Sequence, residues 1–303
     1  MEFLSPRYLS EAFEVMDKSG RNLKICAGMT HLLRFYPRFP EELTSKFDGL
    51  MHVGDLAALS ECREESSKYS IGSTARISSL VEDDYLARYA ASVREAAALT
   101  STPQIRNRRT VGGEVAWGSY HSPLVSALWA MGAKVKVRTR GKNGSAGQEE
   151  TLDLAQFYRG AQKRIAAEGK EHETRSAVTG GQDLILRFVL PAHQPGQFSF
   201  FRGLIPKIHT ENSGVVLSVS GSFQNNVIER ARVVASGVWM DTMDEELPLQ
   251  AVRMNDTYIF EKLYTFCDRY NFDSIRRGGP PGSQLGLIVF GLLKEGFSTL
   301  LAR

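Results

Sequence analysis

Two glycine-bearing segments hold the residue types in this sequence that could bind an anion. The first turn is residues 27–33, Ala-Gly-Met-Thr-His-Leu-Leu, and the second turn is residues 104–114, Gln-Ile-Arg-Asn-Arg-Arg-Thr-Val-Gly-Gly-Glu. Glycine has no Cβ, so the backbone N–H groups of such a turn can converge on a phosphate. Thr110 adds a hydroxyl donor, and the neighbouring arginines raise the local positive potential. Taken alone, each segment is more often an ordinary structural turn.

Hydrophobic periodicity predicts the elements that must position these turns. A compact apolar strand over residues 23–27 leads into the first turn, and a helix follows it. After the second turn, Trp117 and Trp129 lie at helical spacing and are expected in the core, and an alternating strand is predicted over residues 134–139. The Gly-, Ser- and Lys-rich residues 140–150 predict a solvated hairpin tip or loop. The charged side chains expected to be solvated there are Arg138, Arg140 and Lys142.

A change in composition at residues 191–196, Pro-Ala-His-Gln-Pro-Gly, predicts a linker to a second domain. Beyond it, two successive strands are expected over residues 213–224 and 227–238, around a turn at Asn225-Asn226. Residues 247–271 are expected to be mainly helical, and a closing helix is expected over residues 286–301. The second domain is therefore predicted to be α+β.

Length and composition exclude several classes of protein. The 303 residues suffice for two domains, and a net charge of +3 is too small to predict nucleic-acid binding. The cysteines, Cys26, Cys62 and Cys267, lie too far apart for a zinc or iron–sulfur motif, and their odd number argues against a disulfide framework. The first residues do not form a signal peptide, and no apolar run is expected to reach membrane-spanning length. A cytoplasmic location is the default expectation.

Three segments, in the same order along the chain, resemble the FAD-binding medium subunit of molybdenum hydroxylases, the family of xanthine dehydrogenase and carbon monoxide dehydrogenase. The first turn is similar to that family's first flavin loop, usually Ala-Gly-Gly-Thr-Asp-Leu-Leu. Residues 104–133 resemble its second loop, usually Ile-Arg-Asn-x-x-Thr-Ile-Gly-Gly-Asn, followed by a Ser-Pro-x-Ser-Asp patch and an apolar helix. Residues 157–191 resemble the segment that closes the flavin domain. The likeness covers almost the whole chain.

The resemblance implies a fold. It is an α+β, bilobed FAD-binding domain of the vanillyl-alcohol oxidase (PCMH) type, followed by a smaller α+β C-terminal domain like that of the carbon monoxide dehydrogenase flavoprotein. The FAD-binding domain would be residues 1–192, with subdomains at about 1–57 and 58–192, and the C-terminal domain would be residues 197–303.

The resemblance also implies cofactor contacts, position by position. Residues 24–32 and the Thr-x-Gly-Gly of the second turn would line the diphosphate and adenosine side. Ser122 would approach the ribityl or phosphate region, and Arg202 would take the place of a family Lys. The full set of expected cofactor-binding residues is Lys24, Ile25, Cys26, Ala27, Gly28, Met29, Thr30, His31, Leu32, Thr110, Gly112, Gly113, Glu114, Ser122, Leu184, Ile185 and Arg202. Hydride transfer by a flavin needs no protein acid or base, so no catalytic residue and no metal ligand is expected.

Several residues depart from the family pattern at ligand positions. Met29 stands where a second Gly is usual, His31 replaces an acid, and Pro123 replaces an Asp expected to bind a cofactor hydroxyl. Glu114 replaces an Asn and brings a negative charge toward a dianionic ligand. Two like charges about 4 Å apart cost about 4 kcal/mol at an effective dielectric constant of about 20, so a compensating cation is required. The candidates for this cation are Arg106, Arg108 and His31.

The resemblance implies an oxidoreductase flavoprotein that is active only within a complex. The chain would carry FAD and pass electrons from [2Fe–2S] clusters to NAD or another acceptor. An iron–sulfur small subunit and a large subunit with the molybdenum cofactor would be its partners, with a dimer of heterotrimers as one arrangement. Two alternatives stay open: a flavin-free or weakly flavin-binding assembly subunit, and a stand-alone flavin oxidoreductase of the same fold.

Overall fold

A computed structural model of the chain describes residues 2–18, 22–35, 41–117, 122–141, 145–158, 183–204, 214–237, 240–254, 257–270, 272 and 282–302. The chain forms two compact units. The first comprises Met1–Ile77, Pro103–Ser119 and Gly132–Ala192, and the second comprises Ser78–Thr102, Tyr120–Met131 and His193–Arg303. Each unit is built from three separate stretches of the chain, whereas the expected domains are continuous stretches. The expected domain boundaries therefore stay a prediction.

The described elements are numbered in chain order. The strands are β1 (Glu2–Leu4), β2 (Leu23–Cys26), β3 (Gly49–His52), β4 (Cys62–Glu65), β5 (Lys68–Gly72), β6 (Lys134–Arg138), β7 (Glu149–Asp153), β8 (Leu184–Leu190), β9 (Gln197–Leu204), β10 (Val215–Gln224), β11 (Val227–Gly237) and β12 (Met240–Glu246). The helices are α1 (Leu9–Lys18), α2 (Thr30–Phe35), α3 (Glu41–Thr44), α4 (Ala57–Ser60), α5 (Ile77–Val81), α6 (Asp84–Tyr89), α7 (Ala91–Leu99), α8 (Pro103–Arg106), α9 (Val111–Trp117), α10 (Pro123–Ala130), α11 (Tyr258–Arg269) and α12 (Gly282–Leu301).

Among its described residues, the first unit forms a parallel sheet and an antiparallel sheet. In the parallel sheet, β3 lies between β1 and β2. The antiparallel sheet has the strand order β4-β5-β8-β6-β7. Ala12 and Met16 of α1 pack in one buried cluster with Met51, Val53 and Leu184. The predicted strand before the first turn is confirmed as β2, and the predicted strand at residues 134–139 is confirmed as β6.

Asp17, at the end of α1, fixes the hairpin formed by β6 and β7. Its Oδ2 accepts a hydrogen bond from Arg138 Nη2 at 2.7 Å, and its Oδ1 accepts from the N–H groups of Gly141 and Gly147, each at 3.0 Å. Arg138 lies over the ring of Phe13, 4.7 Å from its centroid, and is buried. The prediction that Arg138 is solvated is therefore wrong, because a carboxylate from a distant helix compensates its charge.

The other two charges of the predicted solvated run have different outcomes. Arg140 Nε donates a hydrogen bond to the Met16 carbonyl, in the last turn of α1, at 3.1 Å. Lys142 lies outside the described residues.

The second unit is built on one antiparallel sheet with the strand order β12-β11-β10-β9. The predicted strand pair is confirmed as β10 and β11, joined at Asn225 and Asn226, whose φ angles are 50° and 64°. Positive φ at both central residues is what a two-residue hairpin turn requires, and Asn tolerates it well. The predicted closing helix at residues 286–301 is confirmed within α12. In the predicted helical stretch 247–271, the described residues are helical only in α11, and residues 247–254 form turns and a β-bridge. The edge strands β9 and β12 were not predicted.

Helices cover both faces of this sheet. On one face, the rings of Phe200 and Phe297 meet edge to face, with centroids 5.2 Å apart, and join β9 to α12. On the other face, Ser218 Oγ of β10 lies 3.2 Å from Ser126 Oγ of α10. Both serines are buried, so this hydrogen bond satisfies two hydroxyls that water cannot reach.

Helix α12 is long and apolar enough, by length and composition only, to cross a membrane. By length and composition, the expectation that no apolar run is long enough to span a membrane is therefore wrong. Leu285, Val289 and Leu293 of this helix are fully buried at helical spacing in the core of the second unit. A core helix passes the same test of length and composition.

We expect Asp17→Asn to lower the free energy of unfolding by about 3 kcal/mol, because it leaves the buried Arg138 guanidinium without a full countercharge. Glu14→Gln on the same helix is the matched control. Its partner is Lys18, both side chains are more than 60% exposed, and we expect a change within about 0.5 kcal/mol. Chemical denaturation measures both variants. Equal losses would show that the Asp17 contacts do not hold the hairpin.

Candidate functional site

One cleft of the first unit is lined by both predicted turns and by the beginning of β8. Its free volume is about 120 Å³. That is below the roughly 300–1,000 Å³ of pockets that bury a whole small ligand, so these walls suit one part of a dinucleotide. The lining residues are Lys24, Ile25, Cys26, Ala27, Gly28, Met29, Thr30, His31, Leu32, Val53, Ser73, Thr74, Arg109, Thr110, Gly112, Gly113, Ala116, Trp117, Asp183, Leu184 and Ile185.

The two turns are in direct backbone contact. A Cβ added at Gly28 would collide with the carbonyl oxygen of Arg108, so only glycine fits at this position. The same oxygen accepts a hydrogen bond from Arg76 Nη1 at 2.6 Å. In the second turn, a Cβ at Gly112 would lie 2.7 Å from the Ser73 carbonyl oxygen. Both glycines are therefore required by the packing of one chain segment on another.

The first turn and the residue before it are held through their carbonyls. His52 Nε2 lies 3.0 Å from the Ala27 carbonyl oxygen, and the Val53 N–H donates to the Cys26 carbonyl at 2.8 Å. Among the described residues, no acceptor is found for the N–H groups of Gly28 and Met29. Two adjacent amides without a partner at the wall of a cleft are what an anion would bind.

Met29 adopts the conformation that glycine would favour. Its φ is 57°, in the left-handed region. This costs a residue with a Cβ roughly 1–2 kcal/mol. A glycine at this position would adopt the same conformation without that cost. The Met29 side chain packs beside the buried cluster that contains Leu32 and Leu43.

The amides of the second turn are already in use. The Gly112 N–H donates to the Ser73 carbonyl at 2.7 Å, and the Gly113 N–H donates to Thr110 Oγ1 at 3.1 Å. Thr110 thereby caps the beginning of α9. In this structure Gly112 and Gly113 shape the cleft without offering these N–H groups to it. Their contact with a cofactor stays a prediction.

Glu114 does not line the cleft, and its charge is compensated inside the protein. Its Oε2 lies 3.2 Å from Arg109 Nη1 and 3.3 Å from His31 Nε2. His31 was among the expected compensating groups. Arg109, which was not among the candidates, supplies a second contact of opposite charge. The Arg109 backbone is bound to the beginning of α5, where the Ile77 N–H donates to the Arg109 carbonyl at 3.0 Å.

Lys24 is one of the residues that line the cleft, and its side chain is buried. It is 6% exposed, and burial lowers its pKa from 10.5 to about 8, against a smaller raising effect from Cys26. Burial raises the pKa of the Cys26 thiol to about 12, so Cys26 is an unreactive thiol and not a nucleophile. The ammonium group of Lys24 lies 5.5 Å from the centroid of the Phe47 ring. A bound dianion would stabilise the charged form of Lys24 and oppose the lowering of its pKa.

The hydroxyl of Thr74 is a second sign that the cleft takes a polar ligand. Thr74 lines the cleft, is 3% exposed, and its Oγ1 has no hydrogen-bond partner among the described residues. A buried hydroxyl without a partner costs about 1–3 kcal/mol, which a bound acceptor would recover. With the amides of Gly28 and Met29 and the cation of Lys24, this donor set fits a diphosphate.

Sequence reasoning missed seven residues of the cleft: Val53, Ser73, Thr74, Arg109, Ala116, Trp117 and Asp183. Ser73 and Thr74 directly follow Gly72, the last residue of β5. Two hydroxyl residues after a glycine at the end of a strand are a sequence signal that could have identified them. Trp117 was expected in the core, as Trp129 is, but it reaches the cleft and stacks on His31, with ring centroids 4.7 Å apart and planes within 4°. The stack joins residues far apart in sequence.

Two expected cofactor residues belong to the second unit and do not line this cleft. Ser122 accepts a hydrogen bond from the Val125 N–H and caps α10, and Pro123 is at the first helical position, where proline is favoured. Arg202 donates to Thr299 Oγ1 at 2.9 Å and lies 3.2 Å from a carboxylate oxygen of Glu295. Both side chains thus have structural partners, and their contact with a cofactor stays a prediction.

Comparison with known proteins relates the chain to flavoproteins. Residues 1–193 match the family described as FAD binding domain in molybdopterin dehydrogenase. The medium chains of carbon monoxide dehydrogenase from Afipia carboxidovorans and Hydrogenophaga pseudoflava are similar, with 27% identity over 135 residues and 30% over 118 residues. The first alignment spans 44% of this chain and 44% of the relative, and the second spans 39% of this chain and 39% of the relative. The chain therefore matches less than half of the length of either relative.

A solved structure of the same overall fold covers the whole chain. The structure titled reconstituted CO dehydrogenase from Oligotropha carboxidovorans matches with a TM-score of 0.75 and 17% identity, over 100% of this chain and 98% of that chain. At this identity the likeness shows the fold alone. It confirms the predicted α+β fold class, with an FAD-binding domain and a C-terminal α+β domain.

We expect Gly28→Ala to destabilise the first unit and to reduce any binding in the cleft, because the added methyl group forces the first turn away from the Arg108 carbonyl. The loss should be about 1–3 kcal/mol in chemical denaturation. Gly291→Ala is the control, since nothing lies within 4 Å of a Cβ there. In the exposed face of α12 this change should stabilise the protein by about 0.5–1 kcal/mol. A Gly28→Ala variant as stable as the wild type would contradict the close contact.

The Lys24 cation predicts a pH dependence of stability. The folded chain loses the Lys24 proton near pH 8, whereas the unfolded chain holds it to about pH 10.5. The penalty for burying this group is therefore complete below pH 8 and is relieved as the pH rises from 8 to 10.5. The gap corresponds to about 3 kcal/mol. In denaturant titrations, Lys24→Met should exceed the wild type in stability most at pH 7 and progressively less up to pH 10. The exposed Lys68→Met should show no such trend.

Proposed function

Because the chain belongs to the family described as FAD binding domain in molybdopterin dehydrogenase, we propose that it is the electron-transfer subunit of a molybdenum hydroxylase-type complex. The predicted family, the cofactor FAD and the class of oxidoreductase flavoproteins are confirmed by this membership. The proposal goes further in one respect. The chain receives electrons from [2Fe–2S] clusters on one partner and passes them to NAD or another acceptor.

The observation that carries the proposal is the donor set at the first turn. Gly28 and Met29, whose adjacent N–H groups have no acceptor among the described residues, line the cleft together with the buried residues Lys24 and Thr74. A diphosphate carries two negative charges and many acceptor oxygens, so it matches these donors in sign and number. The apolar side chains of Leu184 and Ile185, at the beginning of β8, offer a contact for an uncharged part of the cofactor.

FAD, when bound, supplies the exchange between one-electron and two-electron carriers. The chain's own part is to bind and orient the cofactor and to set the charge around it. Lys24, Thr74 and the first turn would hold the diphosphate. Arg109 would add positive potential while remaining paired with Glu114. None of these groups is assigned a proton-transfer step.

Partner subunits complete the proposed complex. The similar proteins are named medium chains of carbon monoxide dehydrogenase, which supports a role as one subunit among several. We assign the [2Fe–2S] clusters to a small subunit and the molybdenum cofactor to a large subunit, with a dimer of heterotrimers as the proposed assembly. Within the described residues, no group of three or more side chains could hold a metal ion. A cytoplasmic location belongs to the same proposal.

The test is the flavin content of the purified full-length chain. We expect FAD to be released on denaturation, or to be taken up on incubation, with about one FAD per chain. Affinity should fall as the pH rises above about 8, where Lys24 loses its charge, and Lys24→Met should bind more weakly at pH 7. Lys68→Met, exposed on β5, is the control and should match the wild type.

The outcomes of that test separate the alternatives. A chain that takes up no FAD under any condition is the assembly subunit and not the electron carrier. A chain that binds FAD and alone reduces dyes with NAD(P)H, without molybdenum or iron partners on purification from its source, is the stand-alone oxidoreductase. Co-purification with an iron–sulfur and a molybdenum subunit supports the proposed complex.

A further inference from the structure

A cluster of three buried side chains joins the two turns at the edge of the cleft. Glu114 Oε2, in the second turn, lies 3.3 Å from His31 Nε2 in the first turn and 3.2 Å from Arg109 Nη1. His31 is the most exposed of the three side chains, at 12%, and the other two are near 5% or below. One Glu114 oxygen therefore contacts side chains from both turns, and His31 and Glu114 are 83 residues apart in sequence. Because these groups are buried, water screens their interaction little.

The imidazole ring of His31 is held from two directions. Its face stacks on Trp117 of α9, and its Nε2 edge meets the Glu114 carboxylate. Because both contacts come from the segment that contains the second turn, the ring ties the first turn to that segment. Tyr158 supports the same segment, since its hydroxyl donates to the Val115 carbonyl at 3.4 Å. Burial, and secondarily the Glu114 charge, raises the pKa of Tyr158 well above its usual range, so this hydroxyl remains a neutral donor.

This connection matters because the first turn is strained. Met29 holds a left-handed conformation, which persists only where the surroundings determine it on both sides. Before Met29, the Ala27 carbonyl is held by His52. Two residues after Met29, the His31 side chain is held by Glu114 and Trp117. The amides of Gly28 and Met29 lie between these two anchors.

We propose that His31 and Glu114 act together as positioning residues that fix the amides of the first turn for the cofactor diphosphate. This inference rests on the proposed function. The pair touches the cofactor's site through the first turn and not through the Glu114 side chain, which does not line the cleft. Arg109 is the third member, because it shares the same carboxylate oxygen and keeps the pair from presenting a net negative charge.

The charges of the cluster dictate the test. His31→Asp places a second carboxylate against Glu114, and the two repel each other in a buried site. Glu114→Asn removes the original carboxylate and leaves Arg109 and His31 without it. The double variant His31→Asp/Glu114→Asn again has one carboxylate for one arginine, with the carboxylate moved from the second turn to the first. Coupled residues should therefore show a rescue that independent residues cannot show.

The measurement is the dissociation constant of the full-length chain for FAD and for ADP, which carries the diphosphate and adenosine without the flavin ring. We expect each single variant to weaken both constants by about tenfold or more, and the double variant to recover to within about threefold of the wild type. Glu64→Asn on β4 is the matched control, because it makes the same chemical change at an exposed residue. Circular dichroism and thermal unfolding establish that each variant compared is folded.

The results separate this inference from the function it rests on. A wild-type chain that binds neither FAD nor ADP overturns the proposed function and, with it, the inference. A wild-type chain that binds FAD, with a double variant no tighter than the weaker single variant, overturns the inference alone. Single variants that bind FAD and ADP like the wild type do the same. If FAD weakens and ADP does not, the pair acts on the flavin ring and the positioning of the diphosphate is refuted.

Discussion

The close packing of two backbone segments is the constraint on which the cleft depends. Gly28 lies against the Arg108 carbonyl, and Gly112 lies against the Ser73 carbonyl. Because no side chain fits between these segments, their separation is set by contact between main-chain atoms. The N–H groups of Gly28 and Met29 have no acceptor among the described residues, while those of Gly112 and Gly113 donate within the fold. Gly28 and Gly112 thus shape the cleft by bringing the segments together.

The charges near the cleft are arranged in two groups with different tasks. Arg109, Glu114 and His31 compensate one another, so an acidic residue that departs from the family pattern adds no uncompensated negative charge. Lys24 is different, because burial lowers its pKa to about 8. A dianion bound nearby would favour its charged form and oppose that shift.

The departures from the family pattern look less severe in three dimensions than they do along the chain. Met29 reproduces a glycine-like backbone, and Pro123 occupies the first position of α10, where a missing N–H costs nothing. His31 and Glu114 depart at positions that contact each other. Each substitution therefore has a local partner or a local conformation that accommodates it. The sequence pattern showed the positions that had changed and could not show that two of them meet.

Much of the fold and part of the site could be predicted from residue patterns. The strand before the first turn, the hairpin at Asn225-Asn226 and the long α12 follow from local periodicity, which depends on neighbours along the chain. The edge strands β9 and β12 were missed because pairing partners, and not their own composition, make them strands. Most expected cofactor residues lie together in one cleft. Ser122 and Arg202 belong to the other compact unit.

By itself the sequence determined which segments could bind an anion, since glycine, threonine and basic residues at given spacings have fixed local chemistry. It also carried the family resemblance that membership confirms. Only the tertiary structure decided which cation compensates Glu114, that Arg138 is buried on Asp17, and that Trp117 reaches the cleft. These outcomes depend on contacts between residues far apart in the chain. Charge compensation and burial are properties of such contacts, and no local pattern encodes them.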